Sequence, residues 1–206
     1  MWEQNDILIL LIDLDSYTLS TRFLDDNEKE DLNNLKTSYF RERYIVSRTV
    51  LKFVLHYLLE GQSVFKIGTY KDEYGRVHVR DHEELHICIS YTGNIVSIAI
   101  SKVNAGIDIE LKKPLSTGKF FECLNKQALE IEGLENGFEL LTLFTLKEAY
   151  CKFSNTSILS CLNKELDLSN FFSSSYFLND RYILSIITDA KPRAINISFL
   201  QKIEIP

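Results

Sequence analysis

The sequence has no long hydrophobic run. Its longest, ILILLI from Ile7 to Ile12, falls far short of the roughly 20 residues that a helical membrane span needs. No basic segment with a small-residue cleavage site accompanies it, so a soluble chain without a signal peptide is expected. A C-x-x-C pair is also absent. Cys88, Cys123, Cys151 and Cys161 lie in strand-like or helical surroundings rather than in the loops of a disulfide framework, which predicts reduced thiols in a cytoplasm. Basic residues are in the minority, 23 against 29 acids for a net charge of −6. That balance argues against general nucleic-acid binding, because phosphate backbones reward a basic face. No low-complexity linker divides the chain: Ser173-Ser174-Ser175 is too short and adjoins Phe171 and Phe172.

What is present is enough for a good core: 206 residues, 45% of them hydrophobic. Ile7 to Leu14 reads as a buried strand ending in the turn Asp13-Leu14-Asp15-Ser16. From Asn27 to about Glu60 a helical period takes over, with Tyr44, Val46, Val50, Leu51, Val54, Leu55 and Leu58 as apolar positions and Gly61 as the stop. The bases Arg41, Arg43, Arg48 and Lys52 on this helix read mostly as a solvated face. FKIGTY, RVHV, LHICIS and NIVSIAIS then alternate like strands, with turns at Glu73-Tyr74-Gly75 and Thr92-Gly93-Asn94. The short connection Ser101 to Ala105 predicts a β-hairpin from IVSIAIS into GIDIE. A helical region from Thr117 to Asn155 and β-rich segments Tyr176 to Thr188 and Ala194 to Ile203 repeat the helix-then-strands order. The reading is α/β (α+β), with an N-terminal lobe of residues 1–102 and a similar C-terminal lobe of 103–206 in one compact body.

GIDIE, Gly106 to Glu110, carries two acids where a strand is expected. Side chains alternate along a strand, so Asp108 and Glu110 share a face about 7 Å apart while Ile107 and Ile109 point the other way. Two carboxylates that close raise one another's pKa unless a cation lies between them. Either the strand is an edge with an acidic solvent face, or the pair is half of a Mg²⁺ site that a third acid and a phosphate substrate complete. FELLTLFTLKEAYCKF, Phe138 to Phe153, reads as a helix on which Glu148 and Lys152 are i,i+4 partners. Alone, that spacing is commonly a surface pair.

Together, GIDIE and FTLKEAYCK resemble the paired hallmarks of the Sfp-type 4'-phosphopantetheinyl transferase family, a G-I/V-D-I/V-E strand followed by a W-S/T-x-K-E-A/S-x-x-K helix. YGRVHV is similar to that family's Y-G-K/R-P segment, ISYTGNIVSIAIS to its N-I/L-S-H-S/T-G strand pair, and RYIVSRTVLKFVL to its Arg-bearing first helix. The resemblance spans about residues 40 to 155 and implies a pseudo-twofold monomer of two α/β lobes with coenzyme A in the cleft between them. It implies Mg²⁺-dependent transfer of phosphopantetheine from coenzyme A to a serine of an acyl or peptidyl carrier protein, releasing adenosine 3',5'-bisphosphate. By position, Asp108, Glu110 and Glu148 match the metal-binding acids and Glu148 and Lys152 the catalytic pair. Lys147, with Lys152, matches the lysines near the phosphates. Arg43, Arg76, Tyr91 and Thr92 match the coenzyme A contacts, the two arginines holding the 3'-phosphate. Neither nucleic acid nor membrane is an expected partner. The competing reading is a non-catalytic carrier- or nucleotide-binding module on the same fold.

The chain departs from the family pattern in four places. Tyr91 replaces the histidine and brings no positive charge near neutral pH. Phe144 replaces the tryptophan and keeps only its apolar body. Val77 stands where the proline is usual. The Gly-rich turn after Lys152 is absent, leaving Asn155 as the residue expected to accept a left-handed backbone. His78, His82 and His86, four apart with Cys88 nearby, would line a zinc face on a helix, but VHV and HICIS alternate as strands. Cys151 reads as a packing residue. Phe120 and Phe121, rimmed by Lys112, Lys113 and Lys119, make a candidate docking patch for an acidic carrier protein.

Overall fold

A strand that is apolar on both sides belongs in the middle of a sheet, and β1 (Asp6–Asp13) is buried along nearly all its length. The computed structural model describes residues 3, 5–112, 139–157, 161 and 164–200. Among them are three helices and nine strands in three sheets, a mixed α/β architecture. They divide into two compact units. One holds the residues up to Lys102 with those from Arg193 onward, the other those of Val103–Pro192. No helix among the described residues is long and apolar enough to cross a membrane.

In the first unit α1 (Asp26–Asn34) and α2 (Ser38–Leu58) precede the short hairpin of β2 (Thr69–Lys71) and β3 (Val77–Val79). Next come β4 (His86–Thr92) and β5 (Ile95–Ser101). The expected single helix from Asn27 is therefore two. Thr37 breaks it, its hydroxyl accepting from Phe40 N at 3.3 Å as the N-cap of α2. At the far end Glu60 and Gly61 take left-handed φ values of 54° and 86°, confirming Gly61 as the stop. The strand order is β4-β5-β1-β9, with β9 (Ala194–Leu200) parallel to β1 and the other pairs antiparallel. Val46, Val50, Leu51 and Leu55 of α2 join Leu10, Ile12, Ile87, Val96, Ile98 and Ile100 of this sheet in one core.

The second unit pairs β6 (Ala105–Leu111) with β8 (Tyr182–Thr188), and β8 with β7 (Phe172–Leu178), all antiparallel. α3 (Glu139–Phe153) packs on β6 and β8. Two expectations fail here for topological reasons. β5 and β6 make no hairpin, because β5 already has β1 and β4 on its two edges and β6 takes β8. The β-rich segment from Ala194, assigned to the second half, pairs with β1 instead, where the Asp6 carboxylate accepts from Arg193 Nε at 2.9 Å and Nη2 at 2.6 Å. The predicted helix from Thr117 is described only from Glu139. Cys123 and the docking candidates Lys113, Lys119, Phe120 and Phe121 lie outside the described residues, whereas Lys112 Nζ stands 5.4 Å over the Phe177 ring.

The solvated face expected for the bases of α2 holds only for Arg41. Arg43, Arg48 and Lys52 are buried. Lys52 Nζ donates to the Glu28 carboxylate and to Phe23 O at 2.9 Å. Glu28 also accepts from Thr69 Oγ1 at 2.6 Å and from Asp25 N in the capping box of α1. Burying these charges is tolerable because every partner is present. Lys52→Met should therefore cost about 3–5 kcal/mol by leaving Glu28 uncompensated, and Glu28→Gln added to it should recover a good part. Urea unfolding of the single and double variants measures this; equal destabilisation in both would contradict it.

Candidate active site

The site in the second unit begins with a missing Cβ. A side chain at Gly106 would run into the Ala149 carbonyl oxygen and stand 2.5 Å from Phe153 N and 2.7 Å from Phe153 Cβ. Only glycine lets the last turns of α3 lie directly on β6. Asn104 Nδ2 donates to Phe153 O at 3.1 Å, fixing the end of the helix from the other side. The helix closes on Asn155, whose φ of 51° is left-handed as expected from the sequence. Thr156 N bonds Cys151 O at 2.9 Å and Asn155 N bonds Lys152 O at 3.3 Å, the paired bonds of a Schellman cap. Phe171, partly buried, stacks edge-on against Tyr150 and Phe153.

Alternation along β6 puts Gly106, Asp108 and Glu110 on the face that α3 covers, with Ile107 and Ile109 fully buried on the other. Asp108, 1% exposed, accepts from Lys152 Nζ at 2.7 Å through Oδ1. One helical turn earlier, Glu148 lies close enough to the Asp108 carboxyl for the two to repel. Burial above all, and then the charge of Asp108, push the Glu148 carboxyl up to about 8, with Lys152 pulling the other way and Glu110 adding a smaller push. The structure thus brings Asp108, Glu148 and Lys152 together, with Glu110 within electrostatic reach.

These are hard oxygen donors, and a carboxyl held protonated by its neighbours is what a divalent cation would relieve, so the donor set fits Mg²⁺. As arranged, with Lys152 on Asp108, no three His, Cys, Asp or Glu side chains among the described residues converge to hold a metal ion. Lys147 does not join the group. It lies about 100° around the helix from Glu148, fully buried, and donates to Lys164 O at 2.7 Å.

In the first unit Arg43 donates to Gly93 O and to Tyr39 O, its guanidinium 3.2 Å from the Tyr39 ring centroid. Gly93, φ 51°, begins the two-residue turn between β4 and β5, so Arg43 braces that turn. Tyr91 OH donates to Ser47 Oγ at 3.2 Å, tying β4 to α2, and Thr92 beside it is buried. Arg76 is held by the β2–β3 turn, its N donating to Asp72 Oδ1 at 2.9 Å. His78 faces Asp72 at 3.0 Å and His82 faces Gln62 at 3.0 Å, on separate partners as strand geometry requires.

The residue the sequence reading missed is Arg48. It is 1% exposed, lies over the Tyr44 ring at 4.8 Å, and its Nε and Nη1 have no hydrogen-bond partner. The neighbouring Thr49 hydroxyl is likewise buried and unpartnered. Lys71 Nζ stands 5.6 Å over the same ring, its pKa drawn down by loss of water and by the Arg48 charge. A buried guanidinium with two unpartnered nitrogens is an uncommon feature of a helix that faces a core. The signal was available: Arg48 falls four residues after Tyr44 and three before Leu51, in phase with the apolar stripe. No protein-family model matches this chain, and no curated protein matches it.

Two consequences are measurable. Because the Glu148 carboxyl binds its proton more tightly folded than unfolded, that stability is complete below the unfolded value of 4.5 and is lost as pH rises through about 8. Glu148→Gln should therefore gain on the order of 1–3 kcal/mol over the wild type at pH 8.5 without divalent metal, and little at pH 5. An equal difference at both pH values in urea unfolding would contradict this. Gly106→Ala should lose about 3 kcal/mol or more in the same assay; a loss under 1 kcal/mol would mean α3 shifts freely on β6.

Proposed function

We propose that this protein is an Sfp-type 4'-phosphopantetheinyl transferase with the fold of that family. It would move the phosphopantetheine arm of coenzyme A onto a serine of an apo acyl or peptidyl carrier protein and release adenosine 3',5'-bisphosphate. The observation that carries this reading is the cluster of Asp108, Glu148 and Lys152, built by one strand and one helix in contact through Gly106. Asp108, Glu110 and Glu148 are the residues that would hold Mg²⁺. Bound there, Mg²⁺ supplies the positive charge that a pyrophosphate needs as its bridging bond breaks. Lys152 Nζ, already drawn to the acids by Asp108, adds a second charge for the departing nucleotide. Glu148 takes the proton of the attacking serine hydroxyl at its carboxylate, a role suited to a carboxyl whose pKa is brought toward neutrality. By the resemblance Arg43 and Arg76 would meet the 3'-phosphate, and Arg43 also braces the turn beside Tyr91. The protein acts as a monomer in the cytoplasm.

Two observations favour the competing reading, a carrier- or nucleotide-binding module without catalysis. Lys147 and Arg43, both candidates for phosphate, make bonds to backbone carbonyls instead. Incubation with coenzyme A, Mg²⁺ and a panel of apo carrier proteins separates the two by mass spectrometry. Transfer predicts the phosphopantetheine increment on a carrier, lost in Asp108→Asn and Glu148→Gln while both stay folded. Binding without modification of any carrier would support the module.

A further inference from the structure

The turn that follows α3 brings two thiols together. Thr156 N is bonded to Cys151 O at 2.9 Å, and the Thr156 hydroxyl lies 3.5 Å from Cys161 Sγ. Thr156 thus bridges the two residues, and the Cys161 side chain is near enough to Cys151 to raise its thiol. Their exposures differ. Cys151 is 3% exposed on α3, whereas Cys161 is half-buried and lines a cavity of about 290 Å³ with Tyr150, Thr156 and Lys164. The backbone at Cys161 is held there by Lys164 N, which donates to Cys161 O at 3.1 Å. Cys88 lies on β4 in the other unit.

We infer that Cys151 and Cys161 are a redox pair, closing to an intramolecular disulfide when a peroxide or a small disulfide reaches Cys161 through this cavity. Burial pushes the Cys151 thiol up to about 12, so the chemistry starts at Cys161. With hydrogen peroxide, the Cys161 sulfur takes one peroxide oxygen, becoming a sulfenic acid, and one water leaves. The Cys151 sulfur then attacks the Cys161 sulfur. Its proton departs with the sulfenic hydroxyl as a second water, so two thiols and one peroxide give one disulfide and two waters. A small disulfide instead forms a mixed disulfide at Cys161, which Cys151 resolves, releasing two small thiols in all. The bond ties Cys161 to the turn of α3 that carries Lys152. The inference is independent of the proposed transferase activity.

The test is peptide mapping of the full chain, reduced and then treated with hydrogen peroxide or oxidised glutathione, with alkylation of the remaining thiols. The expected product is two hydrogens lighter, carries one linked peptide containing Cys151 and Cys161, leaves Cys88 alkylated, and reverts with dithiothreitol. Cys161→Ser should abolish the link and Cys88→Ser should leave it intact. Cys151→Ser should stop at the sulfenic acid, trapped by dimedone, which reads out the mechanism even if Cys161→Ser folds poorly. Oxidation that stops at a sulfinic acid or a glutathione adduct on Cys161 of the wild type would overturn the inference, as would a link from either cysteine to Cys123.

Discussion

The contact between the end of α3 and Gly106 is the constraint from which the candidate site follows. A helix packed on a sheet ordinarily stands off by the thickness of its side chains, near 10 Å between axes. At Gly106 that spacing collapses, because the helix backbone at Ala149 and Phe153 takes the place of a strand side chain. Two residues along the strand, Asp108 is thereby forced under the same helix. It meets Lys152, and through it the Glu148 that shares its helical face. The Asn104 bond and the Schellman turn at Asn155 fix where the helix stops, which in turn fixes the height of Lys152 over Asp108.

Asp108 pairs with the Lys152 ammonium, while burial and then the charge of Asp108 raise the Glu148 carboxyl, which answers by holding its proton. Burying such a group is costly, since an apolar helix face would pack against β6 at lower cost. In the first unit Arg48 and Lys71 lie over the Tyr44 ring, Arg48 with its Nε and Nη1 unpartnered, and Asp31 accepts from the Tyr44 hydroxyl at 3.1 Å.

Local chemistry was legible in the sequence, and long-range pairing was not. Alternation in GIDIE correctly separated Asp108 and Glu110 from the two isoleucines, and the period of FELLTLFTLKEAYCKF placed Glu148 over Lys152. Asn155 took the left-handed cap because, with glycine gone, its short amide is the side chain that tolerates αL best. What failed depended on partners far along the chain. Nothing near residues 101 to 105 shows that both edges of β5 are already filled by β1 and β4. Nothing near Ala194 shows that its strand returns to β1. The bases of α2 were misread for a related cause. A charge is assigned to solvent unless its partner is visible, and Lys52 finds Glu28 on another helix while Arg48 lies against Tyr44 with donors unused. Gly106 accompanies the two acids because a side chain there would meet the helix backbone at Ala149 and Phe153.

The acids under α3 act as one electrostatically coupled group that a divalent cation would satisfy. The direct measurement is the titration of the Glu148 carboxyl carbon by ¹³C NMR, assigned with Glu148→Gln, in the presence and absence of Mg²⁺. The account predicts a midpoint far above the ordinary glutamate value without the metal, falling when Mg²⁺ is added, and a lower midpoint in Asp108→Asn. A Glu148 that titrates like an exposed glutamate and ignores both Mg²⁺ and Asp108 would contradict it.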